Sequence, residues 1–493
     1  MVIIGKNKKR KINQSLIDFK FHKPTSGSET PLSIIKPFLN RIVNEIVILT
    51  KIFENRIINK QNIFMNPNSL AERDKKHIWH PFTQMKTAST PIAIVKGDGA
   101  KLYDEAGNVY IDAIASWWTN LHGHAHPHIA EAVSQQAKQL EHVIFADFTH
   151  RPAVELAERL LDKMKFGQSK IFYSDNGSTA VEVGLKMCFQ YWHNLGKPRT
   201  KIIALENSYH GDTFGAMAVG SRSAFSAPFE PYLFEVIFTQ PPYPGKEEEA
   251  LESISKILTE NQGQIAGFIF EPLVQGSGGM YMYEAEAMDK ILKKCKAENI
   301  ILIADEVMTG FGRTGKMWAV DHLENKPDIM CLSKGLTGGT LAFGATTCTT
   351  EIFDAFWSDD KLKTLFHGHS CTGNPLACSV ALASLDLTEK PETWENIKRI
   401  ENLHYEFGLK IKHHPLVKNL RQKGVILAFD LETGTQTSYF NNIRDHIWKF
   451  FIERKLLLRP LGNTVYILPP YCITDGELSM VYEGIEALLE FMK

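Results

Sequence analysis

Lys334 closes a short apolar run, Ile329-Met330-Cys331-Leu332-Ser333, and a Gly/Thr-rich turn, Gly335-Leu336-Thr337-Gly338-Gly339, follows it. A lysine in that position suits imine formation with an aldehyde, because a partly desolvated amine can lose its proton near neutral pH. Twenty-nine residues earlier, Asp305 ends a second buried-type strand, Ile301-Leu302-Ile303-Ala304. A strand-end acid and a strand-end amine are what pyridoxal 5'-phosphate requires. The acid keeps the pyridine nitrogen protonated so that the ring draws electrons, and the amine holds the aldehyde. Most lysines beside glycine are ordinary turn residues, so the pair carries this reading and neither residue alone does.

Other segments offer groups for the rest of such a cofactor. Gly177 and Ser178, in Ser174-Asp175-Asn176-Gly177-Ser178-Thr179, lie between the strand Ile171–Tyr173 and a helix expected to begin near Thr179. Backbone N–H groups at a helix start cradle phosphate; plain capping of the helix by Ser178 is the competing account. Tyr209, in Tyr-His-Gly-Asp, offers a ring for stacking on a flat cofactor, although a solitary tyrosine is more often packing. The loop Phe366-His367-Gly368-His369-Ser370-Cys371-Thr372 combines glycine, hydroxyl and imidazole, again suited to phosphate or to an ordinary polar loop. Trp117 and Trp118 are core residues or the wall of an apolar pocket. Arg459, after Leu456-Leu457-Leu458, is an exposed strand end or a bidentate clamp for a carboxylate.

The elements that position these groups follow from hydrophobic periodicity. Ile92–Val95, Lys101–Tyr103 and Val109–Asp112, separated by Gly/Asp/Asn turns, predict an antiparallel meander. From about 150 to 385, helical spacing alternates with apolar runs at 170–173, 202–205, 268–270 and 300–303. That alternation predicts an α/β fold, a mostly parallel central sheet covered by helices, with ligands at the carboxyl ends of the strands. After about 390 the pattern becomes α+β: a helix over 392–412, a strand over 425–429, a helix over 440–454, apolar segments at 456–458 and 465–468, and a last helix from about 475. The expected organisation is an N-terminal extension (1–64), a large cofactor-binding domain (116–389), and a smaller domain assembled from 65–115 and 390–493.

Residues 1–64 carry twelve Lys/Arg against four Asp/Glu, while the whole 493-residue chain has net charge −1, so the basic character is local. The segment is expected to be poorly structured; it lacks the apolar core and small-residue cleavage site of a secretory signal. The overall balance gives no footprint for nucleic acid, and no apolar run reaches the ~18 residues of a membrane span. Seven scattered cysteines without a Cys-x-x-Cys pair read as reduced thiols of a cytoplasmic protein.

Three alternatives are set aside. His122, His124, His126 and His128 alternate as strand ligands of a metal would, yet Gly123 and Pro127 point to a turn and the first turn of a helix, and no metal is expected. Gly310-Phe311-Gly312-Arg313-Thr314-Gly315-Lys316-Met317 mimics a dinucleotide fingerprint, but no helix or ribose-binding acid follows. It also mimics a phosphate loop, but Met317 has no hydroxyl for magnesium.

Taken together, His80-Pro81-Phe82-Thr83, Ser116-Trp117-Trp118, Tyr209-His210-Gly211-Asp212, Ala304-Asp305-Glu306 through Gly315, and Leu458-Arg459-Pro460 resemble the class III, fold-type I pyridoxal-phosphate aminotransferases. The likeness runs from about Asp74 to the end of the chain. It implies that Lys334 bonds the cofactor and carries protons, Asp305 binds the pyridine nitrogen and Tyr209 stacks on the ring. It also implies that Gly177 and Ser178 hold the phosphate, with His369 and Ser370 of a neighbouring subunit in a homodimer. Phe82, Trp117, Trp118, Gly368 and Arg459, with Lys334, would meet the substrate. The tryptophan pair and the His-Pro-Phe-Thr segment resemble the biotin-pathway branch, whose acceptor is 8-amino-7-oxononanoate. The implied donor is S-adenosyl-L-methionine. Lysine is the rival, because Phe82 stands where relatives using adenosylmethionine carry tyrosine; another ω-amine is a further alternative.

Overall fold

A computed structural model describes residues 69–433 and 443–493. The expected extension over 1–64, and residues 440–442 of the helix expected over 440–454, lie outside the described residues. The chain divides into two compact units, one up to Ile92 and one over Ala93–Lys493. In the first, helix Leu70–His77 begins where the Ser69 hydroxyl accepts the Glu72 N–H (3.3 Å), and Asp74 holds His80 at 2.7 Å. Phe82 follows, exposed and at φ 50°.

The second unit is built on a seven-stranded sheet in the order Gln168–Ser174, Gly344–Thr349, Ile329–Leu332, Ile301–Asp305, Ile265–Phe270, Lys201–Leu205, Val236–Thr239. All neighbours pair in parallel except Gly344–Thr349, which runs against both of its neighbours. Strands Ile265–Phe270 and Ile301–Asp305 are buried along their whole length, as parallel strands covered on both faces must be. The expected α/β architecture is present, with a mixed sheet. Helix Pro127–Ala137 starts at Pro127, with His126 as its cap. The four alternating histidines therefore part company: His122 meets Ser384, His124 meets Asp112, and His128 meets Asp386.

Among the described residues five strands escape the periodicity, the two-residue Val274–Gln275 and Tyr281–Met282 and three longer ones. Gly344–Thr349 (Gly-Ala-Thr-Thr-Cys-Thr) has no large apolar residue, yet it is buried because its hydroxyls are satisfied. Thr346 donates to the Ala180 carbonyl and Thr347 to Gln168, each at 2.7 Å. Val236–Thr239 and Val417–Lys423 each lie at one end of a sheet, and Val417–Lys423 carries Lys and Arg among its residues. Val417–Lys423, Ile426–Leu431 and Thr464–Ile467 form a three-stranded antiparallel sheet. The meander forms as Ile94–Asp98, Lys101–Asp104 and Val109–Asp112, and Leu456–Leu457 adds to it in parallel beside Ile111 and Asp112. Helices Pro391–Ile411, Ile443–Glu453 and Asp475–Phe491 match the expected C-terminal helices.

Candidate active site

Asp305 is the last residue of its strand and stands opposite Cys331 on the adjacent parallel strand, which leads through Ser333 to Lys334. Parallel strands lie about 4.8 Å apart, so acid and amine leave the same edge of the sheet side by side. Both line one cavity of about 490 Å³, together with Trp118, Gly177, Ser178, Tyr209, His210 and Glu271. The size suits a small organic cofactor.

Lys334 is enclosed, with Nζ 4.9 Å from the centre of the Trp118 ring. Burial pushes its amine below the usual lysine range and the Arg313 charge pushes the same way, while Asp305 and Glu271 oppose. Asp305 is fixed on both oxygens: the Val307 N–H donates to Oδ1 at 3.0 Å, and His210 Nδ1 lies 2.7 Å from Oδ2. The other ring nitrogen of His210 is buried without a partner. Glu271 receives the Tyr209 N–H at 3.1 Å and the Gly276 N–H at 3.0 Å. Burial raises its carboxyl to about 7, with His210 lowering it and Asp305 raising it further.

The phosphate-type corner is a helix start. Helix Gly177–Asn194 is capped by Asn176, whose side chain accepts the Thr179 N–H while the Thr179 hydroxyl accepts the Asn176 N–H. The competing account of Ser178 as the cap is thereby overturned: the helix begins two residues earlier than expected, and Ser178 Oγ instead accepts the Asp212 N–H at 3.2 Å. Glycine is required at Gly211, where φ is 135° and a Cβ would overlap Ser178 Oγ, and at Gly177, where a Cβ would stand 2.8 Å from Val307.

The tryptophan pair sits on an unusual backbone. Ala115, Ser116, Trp117 and Trp118 have φ of 49°, 45°, 74° and 71°. These are four consecutive left-handed residues without a glycine, each costing about 1–2 kcal/mol. Asp112 ties the entry of this turn by accepting the Ile114 and Ser116 N–H groups and the Ser116 hydroxyl. Trp118 donates its indole N–H to the Tyr466 hydroxyl at 3.0 Å. Trp117 has the Arg459 guanidinium 5.0 Å from its ring centre.

Of the expected site residues, Trp118, Gly177, Ser178, Tyr209, Asp305 and Lys334 share the cavity wall. Trp117 and Arg459 are outside that lining and pair with each other, guanidinium over ring. Gly368, His369 and Ser370 are outside the lining; His369 Nδ1 lies 3.3 Å from Asp175 Oδ2 and its Nε2 lies 3.0 Å from His367 Nε2. Phe82 belongs to the other compact unit. Sequence reading passed over His210 and Glu271. Glu271 was findable, because it directly follows the buried run Phe268-Ile269-Phe270 just as Asp305 follows Ile301–Ala304.

The donor set fits pyridoxal phosphate in kind: an amine that burial pushes below the usual lysine range, a fixed carboxylate beside it, an aromatic ring, and backbone N–H groups at a helix start. Residues 83–489 match the family model described as aminotransferase class-III. The adenosylmethionine-8-amino-7-oxononanoate aminotransferase of Synechococcus elongatus is 47% identical over 424 residues, covering 84% of this chain and 98% of that protein. The protein of the same name from Geobacter sulfurreducens is 41% identical, covering 85% and 96%. The crystal structure of the Methanocaldococcus jannaschii protein of that name superposes with a TM-score of 0.81 at 38% identity, covering 86% and 99%. An omega transaminase from Pseudomonas jessenii superposes with the same score at 29% identity, covering 86% and 98%. The chain belongs to the class III aminotransferases, which work with pyridoxal phosphate.

Proposed function

We propose that the enzyme transfers an amino group from S-adenosyl-L-methionine to 8-amino-7-oxononanoate, giving 7,8-diaminononanoate in biotin biosynthesis. The carrying observation is the identity of 47% to a protein of that name, nearly all of whose length is covered. It works as a cytoplasmic homodimer on small molecules, with neither nucleic acid nor membrane as partner. Among the described residues no helix is long and apolar enough to cross a membrane.

When bound, pyridoxal phosphate supplies an electron sink for the carbon that loses or gains a proton. Lys334 would attach the cofactor and then carry that proton, a task for which burial prepares its amine. Asp305, oriented by His210 and Val307, would face the ring nitrogen. Tyr209 would stack on the ring, and Gly177 and Ser178 would hold the phosphate, with His369 and Ser370 of the partner subunit completing it. Trp117 and Trp118, with Phe82 and Gly368, would line the path of the acceptor chain, and Arg459 would bind its distal carboxylate. The pairing of Leu456–Leu457 with Val109–Asp112 supports a smaller domain drawn from both chain ends.

A second reading keeps the acceptor and takes lysine as donor, on the strength of Phe82. Mixing the purified yellow protein with adenosylmethionine or with lysine, and following the cofactor's absorbance, separates the two. Adding 8-amino-7-oxononanoate should then restore the starting spectrum and yield 7,8-diaminononanoate by mass spectrometry. A protein bleached by neither donor, or one whose spectrum another keto acid restores faster, contradicts the proposal.

A further inference from the structure

The Gly310–Lys316 segment, which matches no nucleotide loop, carries a buried arginine that the mechanism above leaves without a role. Arg313 is 1% exposed, and among the described residues no carboxylate bonds it, Asp112 acting on it only through its charge. Its guanidinium donates instead to three backbone carbonyls: Pro469 at 3.0 Å, Trp118 at 3.3 Å and Asn120 at 3.2 Å. The Tyr471 ring lies 5.2 Å from it. The glycines explain how the side chain enters. Gly312 has φ 98°, and a Cβ there would stand 2.7 Å from Ile397; Gly315 has φ 88°. A buried charge is retained against a large desolvation cost only where its hydrogen bonds secure something. Here two of the three secure the exit of the left-handed turn Ala115–Trp118, whose entry Asp112 secures.

We propose that Arg313 is a positioning residue of the active site: bonded to the carbonyls of Trp118 and Asn120, it holds the strained turn that sets Trp118 beside Lys334 and Trp117 beside Arg459. The left-handed conformation of four residues bearing side chains is not self-sustaining, and a planar fork reaching several carbonyls is a geometry lysine cannot reproduce. The inference rests on the Lys334 cavity being the active site.

The test is a set of holoenzyme variants: Arg313→Lys, Arg313→Gln, Ala115→Gly, and each Arg313 change combined with Ala115→Gly. Glycine adopts φ near 50° without strain, so it substitutes for part of the restraint. Arg313→Lys should lower kcat/KM for the keto acid by roughly tenfold, the worth of one hydrogen bond to a charged group. Ala115→Gly should recover part of that loss while giving no gain in the native background. Arg313→Gln also removes a positive charge near Lys334, so the pH at which the bound cofactor's visible absorbance titrates should move upward; Arg313→Lys should leave it near the native value. Native kinetics in folded Arg313→Lys would overturn the proposal, as would a loss that Ala115→Gly does not relieve. If both Arg313 variants are insoluble, the proposal requires Ala115→Gly to restore soluble protein, and failure to do so overturns it. A native enzyme silent in both half-reactions would instead refute the active-site reading itself.

Discussion

Glu271 offers a prediction that can be worked through in numbers. Its carboxyl is raised from 4.5 to about 7, chiefly by burial. A group whose folded value lies above its unfolded value favours folding most below the unfolded one. That contribution is lost as pH rises through the folded one. The folded protein should therefore lose stability from this residue between about pH 4.5 and 7, and little more beyond. At 1.36 kcal/mol per unit, the difference between pH 5 and pH 8 is about 2.5 kcal/mol. The residue is only 5% exposed, so water screens little of it. Glu271→Gln is neutral throughout. It forfeits one of the two N–H contacts from Tyr209 and Gly276, an offset of about 1–3 kcal/mol that does not vary with pH. With about 2 cal/mol/K of unfolding entropy per residue over 493 residues, the pH-dependent part corresponds to about 2.5 °C in Tm. The assay is thermal unfolding of cofactor-free protein at pH 5, 6, 7 and 8, native against Glu271→Gln. The native Tm should fall relative to the variant as pH rises, with most of the change complete by pH 7.5. Two parallel curves would mean that Glu271 titrates as an ordinary carboxylate, and the electrostatic account of the cavity would fail.

Three further outcomes follow from the geometry. Lys334→Met should abolish turnover and leave no cofactor attached after borohydride reduction, by mass spectrometry. In the cofactor-free protein it should raise the neutral-pH Tm, because the lysine's folded value lies below its unfolded 10.5 and its stability contribution falls away as pH drops through the folded value. Arg459→Ala should lower kcat/KM for the keto acid by roughly 100-fold, the worth of a charge-assisted pair. The absorbance change with the donor should keep its rate, and equal losses in both half-reactions would refute the carboxylate role. Gly211→Ala should weaken cofactor retention in equilibrium dialysis and cost about 1–3 kcal/mol of stability, since φ 135° and the approach to Ser178 both exclude a side chain.

The parts of the site legible in the sequence were those set by strand ends. Lys334 and Asp305 each terminate an apolar run, and a polar residue there has little to do in a core. Glu271 obeys the same rule but is followed at once by Pro272, and a Glu-Pro step reads as a turn into solvent. His210 was masked by Tyr209, because an aromatic draws attention as a stacking surface and its neighbour does not. The left-handed turn could not be read at all. Ala-Ser-Trp-Trp contains no glycine, and its conformation is imposed by bonds from Asp112 and from Arg313, nearly two hundred residues away in sequence. Strand Gly344–Thr349 failed for the opposite reason: its threonines look like a polar loop until their hydroxyls are seen to have buried acceptors.

The charges around Lys334 explain why so many ionisable groups are tolerated in one buried cavity. Arg313 and burial press the amine toward neutrality; Asp305 and Glu271 press it toward the ammonium. Glu271 is the adjustable member, because a carboxyl near 7 is partly protonated at neutral pH and its pull on Lys334 weakens as it takes up a proton. Above pH 7 its full negative charge favours the ammonium; below it, that support is withdrawn while protons become more abundant. The two effects oppose each other, so the fraction of neutral Lys334 should change less steeply with pH than for an isolated amine. Glu271→Gln removes the compensating partner. In cofactor-free protein the rate at which added pyridoxal phosphate attaches to Lys334 should then depend more steeply on pH on the acid side, and an unchanged slope would show that Glu271 and Lys334 titrate independently.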